Sequence, residues 1–313
     1  MAKGADTMKA LVTGGAGFLG RYLVRELVNQ GIETVIYDTV SPPEDFLNGM
    51  SDYLTIVKGN ILDFDHLVKS LDGCDIVFHT AAIADLDDAR KKPVQTMNVN
   101  VVGTAHCLEA ARIAGVKRFL LASSIYVSGK WGSFYKVSKQ AGESLCKTYN
   151  EEYGLSYTIL RYGSLYGRDA NQWNSMYAIC KALLSTGTFH YVSGPEAIRE
   201  YIHIHDAARE TIRIARDKSF ENRIALITGP QRMTIRELFD MMEEIIGKKI
   251  TITYTPPHER CHYIKTPYTF DIEVPIRVNL SSFIDINEGI LDCLYEVQKE
   301  IVDNNSKEES QCH

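Results

Sequence analysis

The run Leu11-Val12-Thr13-Gly14-Gly15-Ala16-Gly17-Phe18-Leu19-Gly20 constrains this chain more than any other stretch. An apolar strand enters a glycine-rich turn and leaves as a helix. Residues without side chains let the backbone turn tightly and approach a pyrophosphate, and the helix N-terminus offers it unpaired N–H groups. A purely structural turn can carry the same letters. Three further features favour the phosphate reading. Asp38 ends a second apolar strand, 18 residues after Gly20. Ser124 follows the strand Phe119-Leu120-Leu121, and Tyr135 and Lys139 lie four apart on the next predicted helix, on one face of it. Together they describe a nicotinamide cofactor with a proton-transfer site beside it.

Short apolar runs alternate with helical patterns through the first half. Strands are predicted at 9–13, 33–37, 53–57, 75–79, 117–122 and 156–161, and helices near 18–30, 64–71, 93–114, 134–153 and 173–186. The strand runs are apolar on both faces, as a parallel sheet covered by helices requires. The fold class is therefore α/β, a Rossmann-type doubly wound parallel sheet. Beyond about residue 165 the alternation loosens. Strands are expected at 188–192, 200–204 and 249–254, and helices at 205–217, 234–246 and 287–299. The expected organisation is a dinucleotide-binding domain at 8–165, carrying Ser124, Tyr135 and Lys139, and a smaller C-terminal α/β lobe for substrate at 166–302. Residues 255–280 read as irregular and hold four of the nine prolines. The polar tail 303–313 reads as disordered.

The net charge of −6, with no block of Lys and Arg, argues against nucleic acid as a partner. Seven cysteines are scattered without a Cys-x-x-Cys pair, so no metal site and no disulfide framework are expected. That pattern fits a reducing cytoplasm. Residues 1–7 do not resemble the apolar core of a signal peptide, and no apolar stretch is long enough to span a bilayer. The fold is expected to begin at Met8.

In the cofactor site, Gly14, Gly17 and Gly20 make the turn, and the Phe18 and Leu19 amides face the pyrophosphate. Asp38 sits where a carboxylate accepts from the adenosine ribose hydroxyls and would repel a 2′-phosphate. No arginine follows it in Thr39-Val40-Ser41, so the cofactor is read as NAD. Asn60 and Ile61 are expected near the adenine. His79-Thr80-Ala81-Ala82 ends the fourth strand in small residues, which brings Ala81 beside the cofactor; His79 reads as structural. A phenol has an unperturbed pKa of about 10 and is a poor base at neutral pH. A neighbouring ammonium and the charge of an oxidised nicotinamide favour phenolate and bring Tyr135 towards the operating pH. Ser124 hydrogen-bonds the same substrate oxygen and fixes its geometry.

With these residues in place, the chain resembles the extended short-chain dehydrogenase/reductases of the nucleotide-sugar epimerase/dehydratase family. The resemblance rests on the glycine turn, Asp38, His79-Thr80-Ala81-Ala82, Asn100-Val101-Val102-Gly103-Thr104, Ser123-Ser124, Tyr135-Lys136-Val137-Ser138-Lys139, Leu160-Arg161-Tyr162, Leu165-Tyr166-Gly167 and Arg199-Glu200-Tyr201-Ile202-His203. It covers roughly residues 8–255. It implies an NAD-dependent enzyme with a catalytic triad of Ser124, Tyr135 and Lys139, Lys139 also holding the nicotinamide ribose. It places Ser123 and Asn100 near the cofactor and Tyr162 at the nicotinamide end. It assigns Arg199 to the diphosphate of a nucleotide sugar, a role that suits an arginine fork; a salt bridge to Glu196 or Glu200 would also explain Arg199. Finally, it implies a homodimer through the helices near 93–114 and 134–153, whose apolar residues include Val102, Leu108, Leu145 and Tyr149.

The chain departs from the family pattern in three places. Dehydratases carry an acidic pair directly after the catalytic hydroxyl residue, and Ile125-Tyr126 stands there, which argues against dehydration. Only ten residues separate Ser124 from Tyr135, which suggests an open site or a bulkier sugar. Gly163-Ser164 replaces the usual Phe-Asn. The first reading is a nucleotide-sugar 4-epimerase acting through a transient 4-keto sugar. A 4-dehydrogenase or 4-ketoreductase with net redox is the second. A hydroxysteroid- or flavonol-type dehydrogenase is disfavoured by Arg199-Glu200-Tyr201, and a non-catalytic NAD-binding scaffold by the retention of both Tyr135 and Lys139.

Overall fold

The computed structural model describes residues 8–50, 52–255, 264–266, 268 and 276–311, with side chains in the last helix as far as Asp303. Its strands are β1 (Lys9–Thr13), β2 (Glu33–Asp38), β3 (Leu54–Lys58), β4 (Ile76–His79), β5 (Arg118–Ser124), β6 (Tyr157–Tyr162), β7 (Ser164–Tyr166), β8 (Thr188–Tyr191), β9 (Ile198–His203), β10 (Arg223–Ile227), β11 (Arg232–Thr234), β12 (Thr251–Tyr254) and β13 (Ile276–Arg277). Eight of them form one parallel sheet in the order β13-β10-β6-β5-β4-β1-β2-β3.

Strand alternation explains the two covered faces. Ala10, Val12, Ile36, Phe78, Leu120 and Leu160 point to one face, where helices Phe18–Asn29 and Ile204–Arg216 pack through Leu23, Leu27, Ile212 and their neighbours. Leu11, Val35, Val77, Phe119, Leu121 and Ile159 point to the other, against Leu67, Cys107, Leu108 and Cys146. Those side chains come from helices Phe64–Ser70, Gly103–Ile113 and Ser133–Tyr153. A separate apolar core joins helices Ser175–Thr186, Ile235–Ile246 and Ile286–Gln311 with Tyr166 and Tyr201. That second half adds two small sheets, β11-β9-β7 and β12-β8.

The six strands predicted in the first half are all present, within two residues at each end. Three features differ from the sequence reading. First, β10 and β13 come from beyond residue 165 yet extend the main sheet past β6, so a boundary at 165 cuts through that sheet. The run Ile224-Ala225-Leu226-Ile227, bounded by Asn222 and Gly229-Pro230, carried the signal for β10. Second, the helix predicted over 93–114 is divided: Pro93–Met97, a π-helical turn Asn98–Val102, then Gly103–Ile113. Third, the last helix runs to Gln311 where a disordered tail is predicted. No Gly or Pro follows Gly289 to stop it. The predicted irregular stretch 255–280 lies largely outside the described residues, as do residues 1–7. Among the described residues, no helix is long and apolar enough to cross a membrane.

Candidate active site

The chain reverses its direction of travel across the sheet between β1 and β4. From β1 it runs outward to β2 and β3, and from β4 the other way to β5 and β6. In an open parallel sheet, the crevice beyond the carboxyl ends at such a point is where ligands bind. The glycine turn sits there. Gly14 has φ +70, and a Cβ on it would lie 2.6 Å from the Ala81 nitrogen, so the two strand ends approach as backbone on backbone. A Cβ on Gly20 would drive into the Gly14 carbonyl. Gly17 is the N-cap of helix Phe18–Asn29 and has no side chain to occupy the first amides. Asp38 Oδ2 accepts from the Ala16 N–H (3.0 Å) and Oδ1 from the Val40 N–H (3.2 Å), which fixes the carboxylate at the end of β2.

A cradle that any Cβ would fill, an uncapped helix N-terminus and an oriented carboxylate fit a dinucleotide. Asn60 is exposed after β3, its Oδ1 taking the Leu62 N–H (3.0 Å). Ile61 is buried, packed on Gly103. Replacing Gly20 by Ala is expected to cost about 1–3 kcal/mol of stability, the usual range for overpacking against backbone. It should also weaken NAD binding at least about tenfold, measurable by titration calorimetry. Wild-type affinity in that variant would remove the turn from the cofactor site.

The catalytic candidates meet one strand further on. Ser124 ends β5, and its Oγ accepts from the Tyr126 N–H (3.3 Å) in the turn that follows. Tyr135 lies in the first turn of helix Ser133–Tyr153 with its hydroxyl hydrogen-bonded to Ser124. Lys139 Nζ lies 5.7 Å from the centre of the Tyr135 ring and donates to the Ala122 carbonyl (2.7 Å). Burial pushes the Tyr135 phenol up to about 12, while the bond from Ser124 pulls it down. Burial also pulls Lys139 down to about 8, with Glu143 opposing that shift. At neutral pH the protein alone therefore holds a protonated phenol beside a charged ammonium.

Other sequence candidates take supporting positions. His79 is buried between two hydroxyls, Nδ1 2.7 Å from Thr13 Oγ1 and Nε2 2.9 Å from Thr104 Oγ1. Burial, then the charge of Lys139, lowers it to about 3, so it stays neutral. Asn100 spends its amide on the protein. Oδ1 takes the Ile83 N–H (2.8 Å), and Nδ2 donates to the Ile83 carbonyl (2.9 Å) and to Ser138 Oγ (2.9 Å). Ser138 in turn donates to the Tyr135 carbonyl (2.8 Å). Asn100 thus ties the loop after Ala81 to the helix bearing Tyr135, from a π-helical turn of the kind that recurs at functional sites. Sequence reading missed this bracing role because local spacing does not reveal a bond 38 residues away.

Tyr162 pairs in register with Ser124, but its ring is buried and its hydroxyl lies 2.5 Å from Thr211 Oγ1, so its side chain faces the core. Ser123 donates to Glu143 Oε1 (2.5 Å) on the helix side. Arg199 is buried on β9; its Nη1 donates to the Ile198 carbonyl (2.8 Å) and its side chain hydrogen-bonds Tyr191. Of the two carboxylates weighed as its partners, Glu196 pairs with Arg236 (3.0 Å) and Glu200 with Arg232 (3.0 Å).

Residues 10–227 match the model of the NAD dependent epimerase/dehydratase family. The chain belongs to that family. This epimerase/dehydratase is 27% identical over 299 residues to a putative UDP-glucose 4-epimerase of Methanocaldococcus jannaschii, covering 90% of this chain and 95% of the relative. It is 29% identical over 281 residues to a UDP-N-acetyl-alpha-D-glucosaminuronate decarboxylase of Bacillus cytotoxicus, covering 79% and 83%. Among solved structures it resembles a UDP-glucose 4-epimerase from Thermotoga maritima, determined with UDP-glucose. The TM-score is 0.79 at 25% identity, and the match covers 94% of this chain and 100% of that one. The family makes this an NAD-dependent enzyme of the extended short-chain dehydrogenase/reductase type, with the fold the sequence predicts.

Proposed function

We propose that this epimerase/dehydratase is a nucleotide-sugar 4-epimerase that works through a transient 4-keto sugar. The observation that carries the reading is the Ser124–Tyr135–Lys139 cluster beside the glycine cradle, followed by the neutral pair Ile125-Tyr126 rather than two carboxylates. The UDP-glucose 4-epimerases that this chain resembles support a UDP-sugar. Bound NAD supplies the acceptor and donor of the two electrons. Tyr135 must first lose its own proton to solvent, which the positive charges of Lys139 and of an oxidised nicotinamide would favour; as phenolate it then takes the proton of the sugar 4-hydroxyl and returns it, and Ser124 holds that oxygen in place. Lys139 favours the phenolate through its charge. Phe18 and Leu19 amides, with Asp38, hold the cofactor, Asn60, Ile61, Ala81 and Ser123 border it, and Arg199 binds the substrate diphosphate. The short segment between Ser124 and Tyr135 leaves room for the keto sugar to turn over.

Purified protein incubated with UDP-glucose, UDP-N-acetylglucosamine or UDP-glucuronate, and followed by NMR, should yield the C4 epimer without accumulating NADH. Accumulating NADH indicates a 4-dehydrogenase, and carbon dioxide from a uronate indicates a decarboxylase; either result overturns epimerisation. Failure of the protein to bind NAD and every sugar sinks the enzymatic site as assigned.

We also propose a homodimer. Leu108 is consumed by the sheet-side core and Leu145 and Tyr149 pack against it, but Val94, Val102, Ile113, Phe134 and Val137 are exposed on the two candidate helices and their flanks. Such exposed apolar groups fit a second copy. Sedimentation at micromolar concentration should show a dimer that Phe134→Glu with Val137→Glu dissociates. A monomeric wild type ends the proposal.

A further inference from the structure

The stripe Tyr135, Lys139, Glu143 and Cys146 runs down one face of helix Ser133–Tyr153, half-buried at Tyr135 and buried at the other three. The two reaction candidates occupy its first half. Glu143 follows one turn behind Lys139 and is as deeply buried. Two strand residues converge on it, and a turn residue holds one of them. Arg161 of β6 grips its carboxylate side-on, Nε to Oε1 at 3.0 Å and Nη2 to Oε2 at 2.7 Å. Ser123 of β5 donates to Oε1, and the remaining arm of Arg161, Nη1, donates to Ser128 Oγ at 3.0 Å. Ser123 precedes Ser124 in the chain, and Arg161 precedes Tyr162, the register partner of Ser124. The pair therefore joins the helix bearing Tyr135 and Lys139 to the strand ends bearing Ser124.

We propose that Glu143 is a positioning residue for the reaction: clamped by Arg161 and Ser123, it fixes the Tyr135–Lys139 helix against Ser124 and sets a buried negative charge behind the Lys139 ammonium. This rests on the reading of Tyr135 and Lys139 given above. A buried ion pair is not needed for stability, because apolar replacements of similar volume are often neutral or better. The pair has a functional consequence in its orientation, since the carboxylate, and not the guanidinium, is the end that neighbours Lys139. The groups facing that ammonium are few. Its own helix presents Tyr135, Glu143 and Cys146, β4 presents neutral His79, and β5 presents the Ala122 carbonyl. Arg161 of β6 spends its guanidinium on Glu143 and Ser128. Burial alone favours the uncharged amine, and Glu143 opposes it most strongly by holding the proton on. Without it, Lys139 should lose its charge at a lower pH and the phenol its electrostatic support.

The test is the double variant Glu143→Gln with Arg161→Gln, which keeps polar side chains of related shape and leaves no unpaired charge buried. Glu143→Gln alone is the companion, with folding checked by circular dichroism. In the NAD-saturated double variant, the alkaline limb of the turnover profile is expected to move to lower pH by about half a unit or more, as loss of a nearby opposite charge requires. Turnover at neutral pH should fall with little change in KM. Side-chain NMR of labelled lysine, assigned with Lys139→Arg, follows the Lys139 titration without substrate and should show the same shift. An unmoved limb with unchanged turnover overturns the proposal, as does an unmoved Lys139 midpoint. If wild type shows no sugar-dependent chemistry while the midpoint still moves, the failure lies in the functional reading and the charge relation stands.

Discussion

Replacing Tyr135 by Phe is expected to leave folding and NAD binding intact and to lower turnover by about two orders of magnitude or more, as removal of a proton-transfer group does. The phenylalanine ring keeps the contact with Lys139, whose Nζ sits 5.7 Å from the ring centre. Only the hydroxyl and its bond to Ser124 are lost. Because burial holds the phenol near 12, it does not ionise by itself at neutral pH. Its usefulness depends on the charge of Lys139 and on the substrate oxygen sharing the proton. Turnover assays with the active UDP-sugar, paired with calorimetry of NAD, separate the two effects. Activity within tenfold of wild type removes Tyr135 from the mechanism.

Replacing Arg161 by Met is expected to cost about 3–5 kcal/mol of stability, because it strands the buried Glu143 carboxylate without its cation. Both members of the pair are about 5% exposed, so water cannot make up the loss. Replacing Glu143 by Leu as well should recover most of the stability, since the deficit comes from an unpaired charge and not from missing packing. Urea unfolding of the single and double variants checks this. A single-variant loss below about 1 kcal/mol would match an exposed ion pair instead. The rescued double variant should still be impaired in turnover, which separates stability from the positioning of Lys139.

The strands β1 to β6 were legible because each is a short apolar run bounded by breakers, and their alternation with helices left one architecture open. Strand β10 was missed although its apolar run and flanking turn residues were visible. It lies far along the chain from β6, and nothing local says that the chain returns to the main sheet. The π-helical turn at Asn98–Val102 was equally hidden, since the same residues satisfy an α-helical pattern and the bonds that Asn100 makes there, to Ile83 and Ser138, reach far along the chain. The family resemblance puts Tyr162 at the nicotinamide end; strand pairing puts it beside Ser124, while the pleat turns its ring into the core.

By itself, the sequence determined the glycine turn, the carboxylate at the end of β2 and the Tyr135–Lys139 spacing, because each depends on residues close together in the chain. Backbone sterics and helical periodicity act over that range and leave their mark in residue type and spacing. Tertiary structure alone decided what holds the helix bearing Tyr135 and Lys139 in place: Ser123 and Arg161, from two strands, grip its Glu143, and Asn100 bonds its Ser138. Those contacts arise where a parallel sheet gathers distant strand ends at one edge. Burial there strengthens electrostatic interactions that the same residues would barely feel in water.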